Sequence, residues 1–141
     1  MRIYILVLCA MLLGAVSSDA FEFKWPGGGK AQAAKKADEF FRQARSAYGS
    51  ADYSKVIELT TKAIKEDNTH AKSYSLRGKA KKDMGDVDGA FKDLNSAIQL
   101  DSKLGEAYFV RGQANEIMGE MDKAKADYKK GCDAGYRSAC R

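Results

Sequence analysis

The sequence repeats itself every 34 residues over most of its length, and this period restricts the fold more than any other feature. Three successive units begin at residues 37, 71 and 105 and align without a gap. Position 4 of each unit is aromatic, whereas positions 8, 20 and 27 carry short side chains. These positions hold Phe40, Tyr74 and Tyr108; Ala44, Gly78 and Gly112; Val56, Ala90 and Ala124; and Ala63, Ala97 and Gly131. A unit of this size cannot bury an apolar face alone, so the units must stack on one another.

Within each unit the spacing of apolar residues predicts two helices. Positions 4, 8 and 11 fall on one face of a first helix, and positions 20, 24 and 27 fall on one face of a second. Gly85 and Gly119 supply the turn between them, and the acid that follows each glycine stands at the start of the next helix. Asp52 has the same place in the first unit. The predicted fold is an all-α solenoid of three helix–turn–helix units with a short C-terminal helical stub. The units are residues 37–70, 71–104 and 105–138.

This pattern resembles the tetratricopeptide repeat, a family of stacked helix pairs that act as protein-interaction modules. The resemblance covers residues 37–138, which are 102 of the 141 residues. Polar residues mostly replace the leucine usual at position 7 and the aromatic residue usual at position 11, which predicts weaker core contacts there. The residues at these positions are Gln43, Arg77, Arg111, Ala47, Lys81 and Asn115. Before the first unit, residues 21–36 are expected to form a leader that runs into the first helix at about Ala31.

The N-terminus has a different composition from the repeats. Arg2 precedes an apolar run at residues 3–16, and small residues follow in "SSDA". A charged start, a short apolar run and a small-residue site are typical of a secretory signal peptide. We expect residues 1–20 to be removed by cleavage after Ala20, with cleavage after Ser17 and retention as an anchor as the alternatives. The chain is then exported to the periplasm or to the extracellular space.

The stretch "FEFKWPGGGK", residues 21–30, alternates aromatic and charged residues before a proline and three glycines. One interpretation is a flexible leader. The alternatives are a short strand that pairs with the edge of a partner's sheet, or an aromatic contact with a membrane or cell-wall surface.

Two cysteines, Cys132 and Cys140, remain in the exported chain. In an oxidising compartment such a pair forms a disulfide more often than a metal site. Cys132 is predicted near the end of the last unit's second helix, which Gly135 caps, and Cys140 in the first turn of a following helix that includes residues 139–141. Secreted helix-pair repeat proteins rich in cysteine have a similar ending, and this resemblance implies a disulfide between the two. A redox-active pair and a metal site are the alternatives.

The family resemblance also implies a binding surface. In the family's geometry the first helices line a concave groove, which positions 2, 5, 9 and 12 of each unit face. Here those positions hold Asp38, Phe41, Arg45 and Tyr48; Lys72, Ser75, Lys79 and Lys82; and Glu106, Phe109, Gln113 and Glu116. All of them except Asp38 and Glu106 are candidate partner-binding residues. Because the middle unit is basic and the flanks carry aromatic and acidic groups, the expected ligand is an extended peptide or protein segment with an acidic centre and apolar ends.

One known site of the family is not carried over to this chain. That site holds a C-terminal carboxylate with lysine, asparagine and arginine at five positions of three units. None of the matching residues carries the required group. They are Phe41, Arg45, Leu76, Glu106 and Val110.

Nothing in the sequence predicts catalysis. The one histidine, His70, is expected to face solvent at a helix start, and no nucleophile–base set, phosphate loop or haem-attachment pair is present. We expect no enzyme activity, no cofactor and no metal. The net charge of +5 permits acidic partners, but a secretory leader argues against nucleic acid.

The predicted function is an exported module that binds a partner protein, for example during assembly of an envelope complex. One alternative is an accessory protein associated with the membrane or cell wall, and another is a thiol-active accessory factor. A homo-oligomer is a further hypothesis, because no capping helix follows the last unit and Ala124 and Tyr128 would be uncovered there.

Overall fold

The computed structural model describes residues 28–140, and the structural statements below refer to that part of the chain. This part contains six α-helices and no strand. The helices are α1 (Gly28–Gly49), α2 (Tyr53–Glu66), α3 (Ala71–Asp83), α4 (Val87–Leu100), α5 (Gly105–Ile117) and α6 (Met121–Asp133), and a 3-10 helix follows at Arg137–Ala139. The predicted signal peptide, the leader up to residue 27 and Arg141 lie outside the described residues.

The six helices form three pairs, and each pair packs against the next along the chain. The second helices begin at residues 53, 87 and 121, so the structure keeps the 34-residue step of the sequence. These observations confirm the predicted all-α solenoid. The first helix starts at Gly28 rather than at Ala31, because the alanine- and lysine-rich segment that follows favours helix strongly enough to include two glycines.

The turn between the two helices of each pair contains one residue in the left-handed backbone conformation. Gly85 and Gly119 have φ angles of +87° and +78°, a region that glycine adopts without a steric penalty. Ala51 takes the equivalent place in the first unit with a φ of +58°, where a side chain costs about 1 kcal/mol. The carboxylates of Asp52 and Asp86 then accept hydrogen bonds from backbone N–H groups three residues later, at 3.0 and 2.9 Å. Asp52 and Asp86 therefore cap their helices as predicted, whereas Glu120 stands at the equivalent place before α6 without a side-chain capping hydrogen bond.

Small residues on α3 and α5 allow the paired helices to approach closely. A Cβ atom built on Gly78 would lie 2.9 Å from Cγ of Leu94, and one built on Gly112 would lie 2.6 Å from Cε1 of Tyr128. Both distances are shorter than ordinary contacts between carbon atoms. In the second and third units, glycine at position 8 is therefore matched to a large residue at position 24.

In the second unit, Arg77 reaches across the helix pair to a buried carboxylate. Its Nε and Nη2 atoms donate to the two oxygens of Asp93 at 2.9 and 2.8 Å. Lys81 lies 2.8 Å from the same carboxylate, and Asp93 is only 5% exposed. The Nη1 atom of Arg77 donates to Thr61 of α2 at 3.1 Å. One arginine therefore joins three helices.

The third unit repeats this arrangement. Arg111 donates to both oxygens of Asp127 at 2.9 and 2.7 Å, and to Asn95 of α4 at 2.7 Å. Asn115 donates to Asp127 at 3.0 Å. The weaker contacts expected at positions 7 and 11 are replaced in these two units by charge-assisted hydrogen bonds, which are the stronger kind.

A disulfide holds the turn that follows α6. Gly135 has a φ of +85°, which confirms the predicted left-handed cap. Cys132, in the last turn of α6, is bonded to Cys140 with 4.8 Å between their Cα atoms. Cys140 directly follows the 3-10 turn Arg137–Ala139, whereas the sequence predicted it in the first turn of an α-helix. The structure differs from the prediction here because the bond to Cys132 directs the chain back toward α6 after a single turn.

This C-terminal turn covers the end of the last helix pair. A Cβ atom built on Gly131 would lie 2.9 Å from Cβ of Ala139, so the turn packs directly on the helix backbone. Ala124 and Tyr128, expected to be uncovered, are 1% and 7% exposed. These two side chains therefore do not form the uncovered face on which the homo-oligomer hypothesis depended.

Candidate functional site

The concave side of the stack contains an open cavity, which we call the groove cavity. Residues of α1 and α3 form its two walls. Leu104 and Glu106, at the start of α5, form one end. Its lining combines apolar and cationic side chains. The lining residues are Phe41, Arg45, Tyr48, Gly49, Lys72, Leu76, Lys79, Leu104 and Glu106.

Five of the predicted groove residues line this cavity. Phe41, Arg45 and Tyr48 share one face of α1 because steps of three and four residues return to the same side of a helix. Lys72 and Lys79 face them from α3. The helical period therefore brought these residues together as expected.

The other predicted groove residues lie elsewhere. Ser75 is 2% exposed, and its Oγ atom has no hydrogen-bond partner within residues 28–140. The Phe109 ring contacts Tyr136 and Tyr128, with centroids 5.3 and 5.7 Å apart, so it supports the C-terminal turn. Lys82, Gln113 and Glu116 do not line the groove cavity and lie further along α3 and α5.

The two central lysines of the concave side are neutralised within the chain. Lys79 Nζ lies 3.2 Å from Glu106 and 4.6 Å from the centre of the Tyr48 ring. Lys82 Nζ lies 3.0 Å from Asp83 and 2.9 Å from the side-chain oxygen of Gln113. Each lysine therefore links α3 to a neighbouring first helix or to the end of its own helix.

Tyr48 is also held in place. Its hydroxyl donates a hydrogen bond to Asp83, and its ring packs against Tyr53 with 5.5 Å between centroids. Burial and the carboxylate of Asp83 raise the pKa of the Tyr48 phenol far above its ordinary value. The phenol therefore stays neutral at any physiological pH and acts as a fixed hydrogen-bond donor.

Arg45 and Lys72 differ from these lysines. Within residues 28–140 neither side chain forms an ion pair, and both are exposed at the edge of the groove cavity. They are the cations of this cavity that remain available to a ligand.

An acidic cavity lies on the other side of Lys72. It is lined by Asp38, Asp67, Thr69, His70, Ala71, Lys72, Leu100 and Asp101. Hydrogen bonds from the hydroxyl and the backbone N–H of Thr69 lower the pKa of Asp67, so this carboxylate is ionised at neutral pH. Lys72 therefore lines both the groove cavity, with its cationic side chains, and a cavity with three carboxylates.

His70 was predicted to face solvent, but most of its side chain is buried. Its side chain is 13% exposed, with Nδ1 2.7 Å from the Ser73 hydroxyl and Nε2 3.2 Å from Asp38. Its ring meets Phe41 edge-on at 5.3 Å. Leu104, the equivalent residue of the next unit, lines the groove cavity. The last position of the first and second units therefore lines a cavity beside the first helices, a role that its place just before a helix could have indicated.

Within residues 28–140, no three histidine, cysteine or acidic side chains are arranged to hold a metal ion. None of the helices in the same range is long and apolar enough to cross a membrane.

Stacked helix pairs with a shared period, left-handed turns and a concave cavity define a helical-repeat protein. Residues 71–104 and 105–134 each match the family model of the tetratricopeptide repeat. The chain therefore contains tetratricopeptide repeats and has the fold of that family, which confirms the resemblance seen in the sequence.

Solved structures have the same fold. The TPR domain of Arabidopsis OM64 is 24% identical over 72% of this chain and 84% of its own length, with a TM-score of 0.68. The second TPR of Spaghetti (RPAP3), bound to the HSP90 peptide SRMEEVD, is 24% identical over 75% and 91%, with a TM-score of 0.71. The TPR2B domain of yeast Sti1, in a complex with pHsp70, is 23% identical over 71% and 80%, with a TM-score of 0.67. A comparison with curated proteins found no match.

Proposed function

We propose that this chain is an exported protein-interaction module that holds an extended segment of a partner protein in the groove cavity. The observation that carries this proposal is the cavity itself, which is open, partly apolar and bordered by two cations that have no counter-ion among the described residues. A concave surface of this kind binds a ligand through apolar contacts and a few placed polar groups. No catalytic role is part of the proposal.

Two similar structures support a protein segment as the class of ligand. Spaghetti is described with an HSP90 peptide and Sti1 with pHsp70. Those ligands belong to those proteins, and at identities below one quarter the likeness concerns the fold.

The partner of this chain is expected to differ from such chaperone tails. At the positions that hold a C-terminal carboxylate in the family, Val110 is fully buried and Leu76 is 7% exposed. Glu106 is acidic and already paired with Lys79, and Phe41 has no donor. Among the five positions only Arg45 carries a cation, and it has no ion-pair partner in the part of the chain that the structure describes. The ligand must therefore be held by other contacts.

Export is the second part of the proposal. The predicted signal peptide, residues 1–20, supports it, and so does the disulfide between Cys132 and Cys140, because such bonds persist in oxidising compartments. We propose a periplasmic or extracellular location, with a role in assembling an envelope complex. Cell fractionation followed by N-terminal sequencing tests this directly. A mature protein that starts at Phe21 supports export, whereas a full-length cytoplasmic protein with two free thiols contradicts it.

Site-specific photo-crosslinking tests the groove. A benzophenone side chain is placed at Phe41 in the groove cavity or, as a matched control, at Lys92 on the exposed face of α4. The two proteins are irradiated in an envelope extract and the products identified by mass spectrometry. We expect a partner that cross-links from position 41 and not from position 92. Equal labelling from both positions, or none from position 41, would contradict binding in the groove.

A further inference from the structure

We infer that the groove cavity selects a protein segment in which an acidic side chain stands next to an apolar one, and that the acid binds between Arg45 and Lys72. This inference rests on the proposed function and specifies its ligand. It moves the acid-binding position away from the centre of the middle unit, where the sequence placed it, to the boundary between the first and second units.

The first step concerns which cations a ligand can use. Lys79 and Lys82 are bound to Glu106 and Asp83 at 3.2 and 3.0 Å. A ligand carboxylate near either lysine would meet the existing carboxylate as well, and like charges at short distance repel. These two lysines therefore give little net attraction for an acidic group.

The second step concerns Arg45 and Lys72. They line the same cavity, they carry the same charge, and neither has a counter-ion within residues 28–140. A carboxylate between them would relieve their mutual repulsion and accept charge-assisted hydrogen bonds. The planar guanidinium of Arg45 can hold both carboxylate oxygens at once, which favours a carboxylate over a neutral amide.

The third step concerns the apolar neighbour of the acid. Phe41, Leu76 and Leu104 line the same cavity as the two cations. The Phe41 ring is held edge-on by His70 at 5.3 Å, so this surface is preformed. Burial of an apolar side chain against it would also remove water from the adjacent ion pair and strengthen it.

The fourth step sets the direction in which the acid lies. The side of Lys72 that lines the acidic cavity is bordered by Asp38, Asp67 and Asp101. These carboxylates repel an acidic side chain placed on that side of Lys72. The acid is therefore restricted to the side of Lys72 that faces Arg45.

The test uses three synthetic peptides with a fluorescent label. The first has the sequence Gly-Ser-Leu-Glu-Phe-Gly-Ser, the second replaces its glutamate with glutamine, and the third replaces its leucine and phenylalanine with glycine. Binding to the processed chain is followed by fluorescence anisotropy. We expect the first peptide to bind more tightly than either of the other two, because only it offers both the acid and the apolar contact.

Matched protein variants then locate the acid. Arg45→Gln and Lys72→Gln should each weaken the glutamate peptide by roughly tenfold, the value of one charge-assisted hydrogen bond, and leave the glutamine peptide unchanged. Lys82→Gln is the control, because it removes the same charge from the same side of the stack at a lysine that is already paired. It should alter affinity by less than about threefold. Circular dichroism confirms that all variants are folded.

Three results would overturn the inference. They are equal binding of the glutamate and glutamine peptides, an effect of Lys82→Gln as large as that of Arg45→Gln, and no binding of the glutamate peptide at about 1 mM. Backbone amide NMR shifts at Leu76 and Leu104 show whether a peptide occupies the groove at all. They therefore distinguish a failure of the acid-specific inference from a failure of the proposed function. If the glutamine peptide shifts those amides, the groove still binds segments without an acid-specific position. Binding in the groove itself fails if position 41 yields no cross-linked partner or labels no more strongly than position 92.

Discussion

The first and third units of the stack have the same helix-pair geometry but are stabilised differently. In the third unit, Arg111 and Asp127 form a largely buried pair across the two helices. The equivalent residues of the first unit are Gln43 and Leu59. Gln43 donates to Glu39 of its own helix, and Leu59 joins an apolar cluster. The third unit is therefore held by charged, directional hydrogen bonds at these positions. The first unit has apolar contacts at Leu59 instead.

The two units also differ in how closely they follow the family. The family model matches residues 71–134, which include the two units with arginine–aspartate pairs. Four lining residues of the groove cavity nevertheless come from the first unit, namely Phe41, Arg45, Tyr48 and Gly49. The comparison teaches that the charged helix-to-helix pairs and the lining of the groove cavity are distributed differently along the stack. The arginine–aspartate pairs belong to the second and third units, whereas the cavity is lined mainly by the first and second units.

The largest expected effect comes from breaking the ion pair of the third unit. Asp127→Ala leaves the Arg111 guanidinium, 21% exposed, without its carboxylate, and such a loss costs about 3–5 kcal/mol of unfolding free energy. Urea unfolding measures the change. The matched control installs the residues of the first unit, Arg111→Gln with Asp127→Leu, and should cost less than half as much because no charge is left unpaired. Equal losses from the two proteins would show that the pair is not what distinguishes these units.

The next effect concerns the disulfide, which only the last unit has. Reduction of the Cys132–Cys140 bond should lower the unfolding free energy by about 2.5 kcal/mol on the chain-entropy model for a loop of this length. Thermal unfolding with and without reductant measures it. The double variant Cys132→Ser, Cys140→Ser should melt at the lower temperature and not respond to reductant. A stability that reductant leaves unchanged would contradict a stabilising role for the bond.

A smaller effect concerns the close approach of α5 and α6. Gly112→Ala places a methyl group against the Tyr128 ring and should cost about 1–2 kcal/mol despite the better helix propensity of alanine. In a Tyr128→Thr background, which reproduces the smaller residue of the first unit, the same change should be neutral or stabilising. A double-mutant cycle by urea unfolding measures this coupling. Additive effects would mean that residues 112 and 128 are not matched in size.

The smallest effect concerns the turn of the first unit. Ala51→Gly should raise the unfolding free energy by about 0.5 kcal/mol, because relief of the left-handed alanine exceeds the extra flexibility of glycine in the unfolded chain. The reverse change in the next unit, Gly85→Ala, should lower it by about 1 kcal/mol. Parallel denaturation curves of the two variants measure both changes. The interpretation is wrong if Ala51→Gly destabilises the protein.

The helix pairs were predictable because their determinants lie close together in the chain. Gly85 at a turn and Phe41 with Arg45 on one helix face follow from local spacing alone. The pairing of Lys79 with Glu106 could not be predicted from local spacing, because Glu106 is 27 residues further on and belongs to another helix. Ser75 occupies the same repeat position as Phe41, yet it is buried. Repeat position predicts the face of a helix, whereas side-chain size and cross-helix partners decide what reaches the surface.

The arginines that connect consecutive units have a mechanical consequence. Arg77 and Arg111 each bind a carboxylate of their own unit and a side chain of the preceding one, so a rigid planar group spans each joint. Rotation of one helix pair against the next would distort several hydrogen bonds together. The joints therefore resist rotation, and a segment bound as proposed would meet a groove whose curvature is already set. Such a segment would lose less free energy to reorganisation of its receptor than it would on a hinged surface.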